Sequence, residues 1–140
     1  MNALRRFLVN RVLVALGFAG MLYIHPSIPD TGIFQGLKQV ATFSLGPGQW
    51  IIVAKASAKG HGGNDGLTDC RLRVDGTEGS AKSSDESYGS PPPLLGTSMT
   101  VLLPFKVETR AQFQLQAGVQ AKPAEFVHLV LWAIRDISAT

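Results

Sequence analysis

From Ala111 to Ala121 the chain alternates almost without a break. Phe113, Leu115, Ala117, Val119 and Ala121 interleave with Gln112, Gln114, Gln116 and Gln120. Consecutive side chains of a β-strand point to opposite faces, so this period of two builds one oily row and one glutamine row. A helix would scatter both sets around its circumference, which excludes it here. Met99, Val101, Leu103, Phe105 and Val107 repeat the pattern, with Pro104 marking an edge or a bulge.

The same reading extends upstream. From Gln39, Ala41, Phe43 and Leu45 form an inward set, and Gly46-Pro47-Gly48 reverses the chain. Trp50, Ile52, Ala54, Ala56 and Ala58 then share an inner face, opposite Ile51, Val53, Lys55 and Ser57. Lys59 to Gly66 is glycine-rich and reads as a loop. Cys70, Leu72 and Val74 turn inward while Asp69, Arg71 and Arg73 turn out. Asp75-Gly76 is a hairpin dipeptide and predicts a turn at that point. The serine-rich stretch from Glu78 to Ser90 predicts at most a ragged edge strand, and Gly89-Ser90-Pro91-Pro92-Pro93 a loop.

Phe126 to Ile137 is apolar on both faces: Leu129, Leu131 and Ala133 on one, Val130, Trp132 and Ile134 on the other. A strand greasy on both sides has to be covered on both sides. Val130, Trp132 and Ile134 are therefore the candidate oligomer interface, because an open patch containing a tryptophan invites aggregation. The alternative cover is Leu37 with the arm upstream of it.

Strand signals recurring every 8 to 15 residues or so, with glycine and proline turns between them, define an all-β chain. The expected fold is an antiparallel β-sandwich, jelly-roll-like, over residues 39–140, within the single domain that 140 residues allow. Residues 25–38 read as a linker, since Pro26, Pro29 and Gly32 prevent a helix. Residues 1–24 form a basic-apolar segment: Arg5, Arg6 and Arg11 precede an apolar run from Val12 to Ile24. It reads as a signal cleaved after Ala19, as a membrane anchor, or as a packing arm, helical or extended. The uninterrupted run is short of the roughly 20 residues that span a bilayer.

The net charge of +3 does not describe a nucleic-acid surface. The first 35 residues carry +2 of it and the other 105 only +1, which leaves no basic stripe for phosphates. Cys70 is the one cysteine, so no intrachain disulfide exists, and its place in an alternating strand predicts a buried thiol.

Site chemistry is sparse. His25 lies in the linker, and His128 on the terminal strand reads as a partly buried, hydrogen-bonded histidine. His61, Asn64, Asp65 and Asp69 are the one constellation with cation-ligand chemistry, at a spacing that matches neither a zinc site nor a calcium hand. Its glycines lack the Gly-Lys-Ser/Thr of a phosphate loop. Asp85 and Glu86 point to opposite faces of a strand and cannot flank one bond. No catalytic residue, metal ligand or cofactor is assigned.

Gly46-Pro47-Gly48 leading into Gln49-Trp50-Ile51-Ile52-Val53-Ala54-Lys55-Ala56 resembles the glycine-x-aromatic strand of tumour-necrosis-factor-like and complement globular-head jelly rolls. The glutamine-alternating strand and the terminal strand ending in Ala133-Ile134-Arg135 are similar to small bacterial and phage-encoded members. The resemblance covers roughly residues 39 to 138. It implies a trimer that binds or builds surfaces without catalysing a reaction.

The functional expectation is a non-enzymatic, surface-exposed module for assembly or attachment, a homo-oligomer with a cell-surface or capsid partner. It is secreted or displayed on the cell surface and touches membrane only through residues 1–24. One alternative is a phage virion protein, a head decoration or a fibre, whose N-terminal segment grips the capsid. The other is an enzyme with an inter-subunit site at His61 and His128.

Overall fold

A computed structural model describes residues 22–61, 68–91 and 95–136. They form seven strands: β1 (Leu22–Ile24), β2 (Phe34–Leu45), β3 (Gly48–Gly60), β4 (Asp69–Glu78), β5 (Ala81–Gly89), β6 (Gly96–Val107) and β7 (Ala111–Asp136). Every pairing is antiparallel. The fold is the antiparallel, jelly-roll-like β-sandwich that the alternation predicts.

β7 organises both layers. Its first half lies between β2 and β4, with β5 beyond β4. Its second half lies between β1 and β3, with β6 beyond β3. The segments expected as two strands, Ala111–Ala121 and Phe126–Ile137, are thus one 26-residue strand. It bends at Ala121 (φ 73°) and again at His128 (φ 54°). Such a left-handed kink frees backbone carbonyls, which then need other donors. Gln35 Nε2 donates to the Ala121 carbonyl at 2.7 Å, and the buried Thr68 hydroxyl reaches the Gln120 carbonyl at 3.0 Å and the Lys122 carbonyl. Ala121, expected inside, is exposed because the kink turns it outward.

The chain from Leu22 to Leu45 runs antiparallel along most of β7. β1 pairs with Ile134–Trp132 and β2 with Ala124–Ala111. β2 begins at Phe34, inside the span read as linker. Between the two strands the prolines break the ladder, and isolated bonds replace it. His25 N–H donates to the Leu131 carbonyl, Thr31 N–H donates to that of Phe126 (both 3.0 Å), and Phe126 N–H donates to the Thr31 hydroxyl at 2.9 Å.

The inward rows are those of the sequence pattern. Ala41, Phe43 and Leu45, the set from Trp50 to Ala58, Cys70, Leu72 and Val74, the set from Met99 to Val107, and the set from Phe113 to Val119 are all buried. Aromatic rings tie the strands together. Tyr23 stacks on Phe43 at 5.4 Å, Phe43 on Phe113 at 4.9 Å, and Phe105 meets Phe113 edge-on at 5.2 Å. These are favourable offset and T-shaped arrangements in a region that also buries large apolar area.

That aromatic cluster corrects one expectation. Asp75-Gly76 is no turn: β4 runs on to Glu78, and the reversal falls at Gly79-Ser80. Gly76 is required inside the strand, because a Cβ there would sit 2.7 Å from Phe113 and 2.8 Å from Phe105. Beyond the turn, β5 is a regular nine-residue strand, in register with β4 from Ala81 to Gly89, and not a ragged one. Gly46-Pro47-Gly48 reverses the chain between layers and makes no hairpin, since β2 and β3 each pair with β7. The Trp50 indole donates to the Gly46 carbonyl at 2.9 Å and closes that turn.

β5 and β6 end the main strand order, while β1 and β2 each pair with β7 alone among the described residues. β5 and β6 face one another without a ladder among the described residues, and Leu102 N–H donates instead to the Asp85 carboxylate at 3.2 Å. Amides two residues apart point the same way, so Pro104, which has none, also faces this open edge and breaks no ladder bond. An inward charge such as Asp85 keeps an edge from recruiting further strands.

Candidate interaction surface

The two layers differ on their outer faces. On the β1-β7-β3-β6 layer, Leu22, Ile134, Ile51 and Pro104 are in register across four strands, and Ile24, Trp132, Val53 and Leu102 form the next row. Val130 follows beside Lys55. Ile51 (45%), Leu102 (54%), Val130 (46%) and Ile134 (45%) stand open to solvent. Asp136, Gln49 and Lys106 bound the band at one end, and Lys55 and Thr100 at the other. An apolar centre with a polar rim is the anatomy of a protein–protein interface. Val130, Trp132 and Ile134, the residues singled out from sequence, lie within this band. Ile51, Leu102 and Pro104 belong to it too. Single-strand patterning missed them, since only the register brings them alongside.

Leu37 does not cover this band. It lies opposite Gly118 on the other layer. There the outward rows are Gln39, Gln116, Arg73 and Glu86, then Thr42, Gln114, Asp75 and Ser84, then Ser44, Gln112, Thr77 and Lys82. Ion pairs lace the face together: Arg73 Nε to Asp75 at 2.7 Å, with Glu86 at 3.5 Å from Arg71 and 3.7 Å from Arg73. The hydrogen bond and charge of Asp75 hold the Arg73 guanidinium further into its protonated form.

The residues weighed for chemistry are dispersed. His61 Nε2 meets Glu125 Oε1 at 2.8 Å, and the His61 amide donates to the Pro123 carbonyl. Asp69 accepts from the Ser90 hydroxyl at 3.2 Å instead. Asn64 and Asp65 lie outside the described residues. His128, expected partly buried, is exposed, because the kink that it forms turns it outward. His61 is only partly exposed and belongs with Glu125, a partner 64 positions away that no local motif announces. Among the described residues, no group of three or more His, Cys, Asp or Glu side chains is placed to hold a metal ion. Burial pushes the Cys70 thiol up to about 11, the opposite of what a nucleophile needs.

Glu78 is a structural anchor. Its carboxylate accepts the amides of Glu108 (2.8 Å), Thr109 (3.0 Å) and Arg110 (2.8 Å), tying the β4–β5 corner to the β6–β7 loop. Those bonds, that of Glu108 first, hold its carboxyl below the usual carboxylate range.

Fold and surface together define a jelly-roll-like β-sandwich with one apolar and one polar exterior. No family model matches the chain, and no curated protein matches it. Solved structures similar to it include the one titled "Structure of Eiger TNF from S. frugiperda". The likeness has a TM-score of 0.42 at 6% identity and covers 78% of this chain and 92% of that one.

Proposed function

We propose that this chain is a non-enzymatic surface module that assembles with copies of itself through the outer face of β1, β7, β3 and β6. The observation that carries this reading is the apolar band across four strands, in which Ile51, Leu102, Val130 and Ile134 remain open to water. Apolar area left in water forfeits about 25 cal/mol per Å² relative to burial, and self-association recovers it. The polar layer then faces outward and is free for attachment. A trimer is the form that the sequence resemblance implies.

Size-exclusion chromatography with light scattering on the full chain tests the assembly. The expected mass is three times 15.0 kDa, and a monomer at micromolar concentration sinks the proposal. Residues 1–24 carry the question of location. Loss of about 19 residues from the native protein, read by intact mass, supports export to the cell surface. Retention of Met1 or Asn2 supports the second reading, an arm gripping a virion shell. That reading is favoured by β1, which places the start of the described chain beside the apolar band.

A further inference from the structure

The outer face of the β2-β7-β4-β5 layer has one break in its polar surface. Leu37, Gly118, Arg71 and Tyr88 are in register across the four strands. Gly118 supplies no side chain, and the gap is a notch of about 160 Å³ between Leu37 and Tyr88, with Asp69 and Gln120 also lining it. Leu37 and Tyr88 are 68% and 69% exposed, the two most exposed large apolar side chains among the described residues. Tyr88 is held in place, because its hydroxyl donates to Glu86 Oε1 at 2.6 Å and Glu86 is itself paired with Arg71. An exposed aromatic ring tethered beside a cleft is a prepared contact surface, with its ordering cost already met by the fold.

The lining also restricts what fits. Arg71 and Asp69 line the notch with one charge of each sign, and Arg71 is already paired with Glu86 at 3.5 Å, so no free cation is presented to an anion. The volume falls below the roughly 300–1,000 Å³ of ordinary ligand pockets and is too small for a helix or a strand. Apolar walls with hydrogen-bonding groups between them match a compact ring that carries C–H faces and hydroxyls. We propose that the notch binds one neutral sugar ring, the terminal unit of a glycan. Leu37 and Tyr88 take its C–H faces, and Asp69, Gln120 and Arg71 bond its hydroxyls. The site lies on the layer opposite the assembly face and does not depend on oligomer formation.

The test is a ¹H–¹⁵N NMR titration of the full chain with galactose, mannose, fucose and N-acetylglucosamine, with sialic acid and glycine as charged controls. At least one neutral sugar is expected to move the amides of Leu37, Gly118 and Tyr88. Tyr88→Ala is expected to weaken that binding about tenfold or more, with an unchanged thermal midpoint, since it removes an exposed anchor. Gly118→Ala is expected to abolish it by filling the floor, where a Cβ would lie 3.1 Å from Leu37 Cδ2 and 3.7 Å from Arg71 Nε. The proposal is overturned if no neutral sugar moves these amides, if Tyr88→Ala binds as tightly as wild type, or if a charged control binds better. Concentration-dependent shifts at the same amides without sugar would also overturn it, by showing that the notch docks a second copy.

Discussion

Gln112, Gln114 and Gln116 stand on the outside of the first half of β7; Val130, Trp132 and Ile134 stand on the outside of the second. One strand therefore serves two layers with opposite exteriors, while the inward rows of both halves enter one core. Outside the kinks at Ala121 and His128 the core side obeys a single rule, apolar at every second residue, and the outer side is free to vary. The difference teaches that the inner pattern encodes the fold, whereas the outer pattern records what each layer meets.

The sharpest way to break this comparison is to place a charge on each exterior. Ile134→Arg is expected to convert the assembly to 15.0 kDa monomers, and Gln114→Arg to leave the mass unchanged, both read by light scattering. Equal behaviour of the two variants would erase the distinction between the layers.

The shared interior gives the next largest effect. Phe113 lies between Phe43 and Phe105, and Phe113→Ala is expected to cost about 3–5 kcal/mol in urea unfolding. Val130→Ala, on the exterior, is expected to change monomer stability by about 0.5 kcal/mol or less. A smaller effect separates two glycines. Gly76→Ala drives a methyl into the rings of Phe113 and Phe105 and is expected to cost about 1–3 kcal/mol. Gly46→Ala meets nothing within 4 Å and is expected to be close to neutral in the same assay.

The smallest effect is the pH dependence of the Glu78 anchor. Its folded pKa is depressed below the ordinary 4.5, so its contribution is full above that value and is lost as pH falls through the folded pKa. The gap in melting temperature between wild type and Glu78→Gln is therefore expected at neutral pH and should close progressively below pH 4.5. A gap that persists or widens in acid would show that Glu78 acts by other means.

Which residues face the core was legible because alternation is a local property, and each strand states it alone. What escaped the sequence was set by partners distant along the chain. Gly76 has the signature of a turn, yet the space it leaves is filled by rings from residues 105 and 113. Lys122-Pro123 looks like the end of a strand, but Thr68 and Gln35 satisfy the carbonyls of the kink and let β7 continue. At the candidate surface, the doubled greasiness of Val130, Trp132 and Ile134 was visible in one strand. The breadth of the band needed the register of four strands. The tethering of Tyr88 by Glu86 needed the ion pairs that β4 and β5 make together.

The position of β7 at the end of the strand order in sequence has a consequence for biosynthesis. β1, β2, β3 and β4 all take β7 as a neighbour, so neither layer can close until β7 has left the ribosome. Before then only the β4–β5 hairpin and the β3–β6 pair have their partners available. Such late, long-range closure makes for slow maturation and leaves sticky half-formed sheets waiting. Nascent chains stalled short of residue 111 should depend on chaperones far more than the finished protein does.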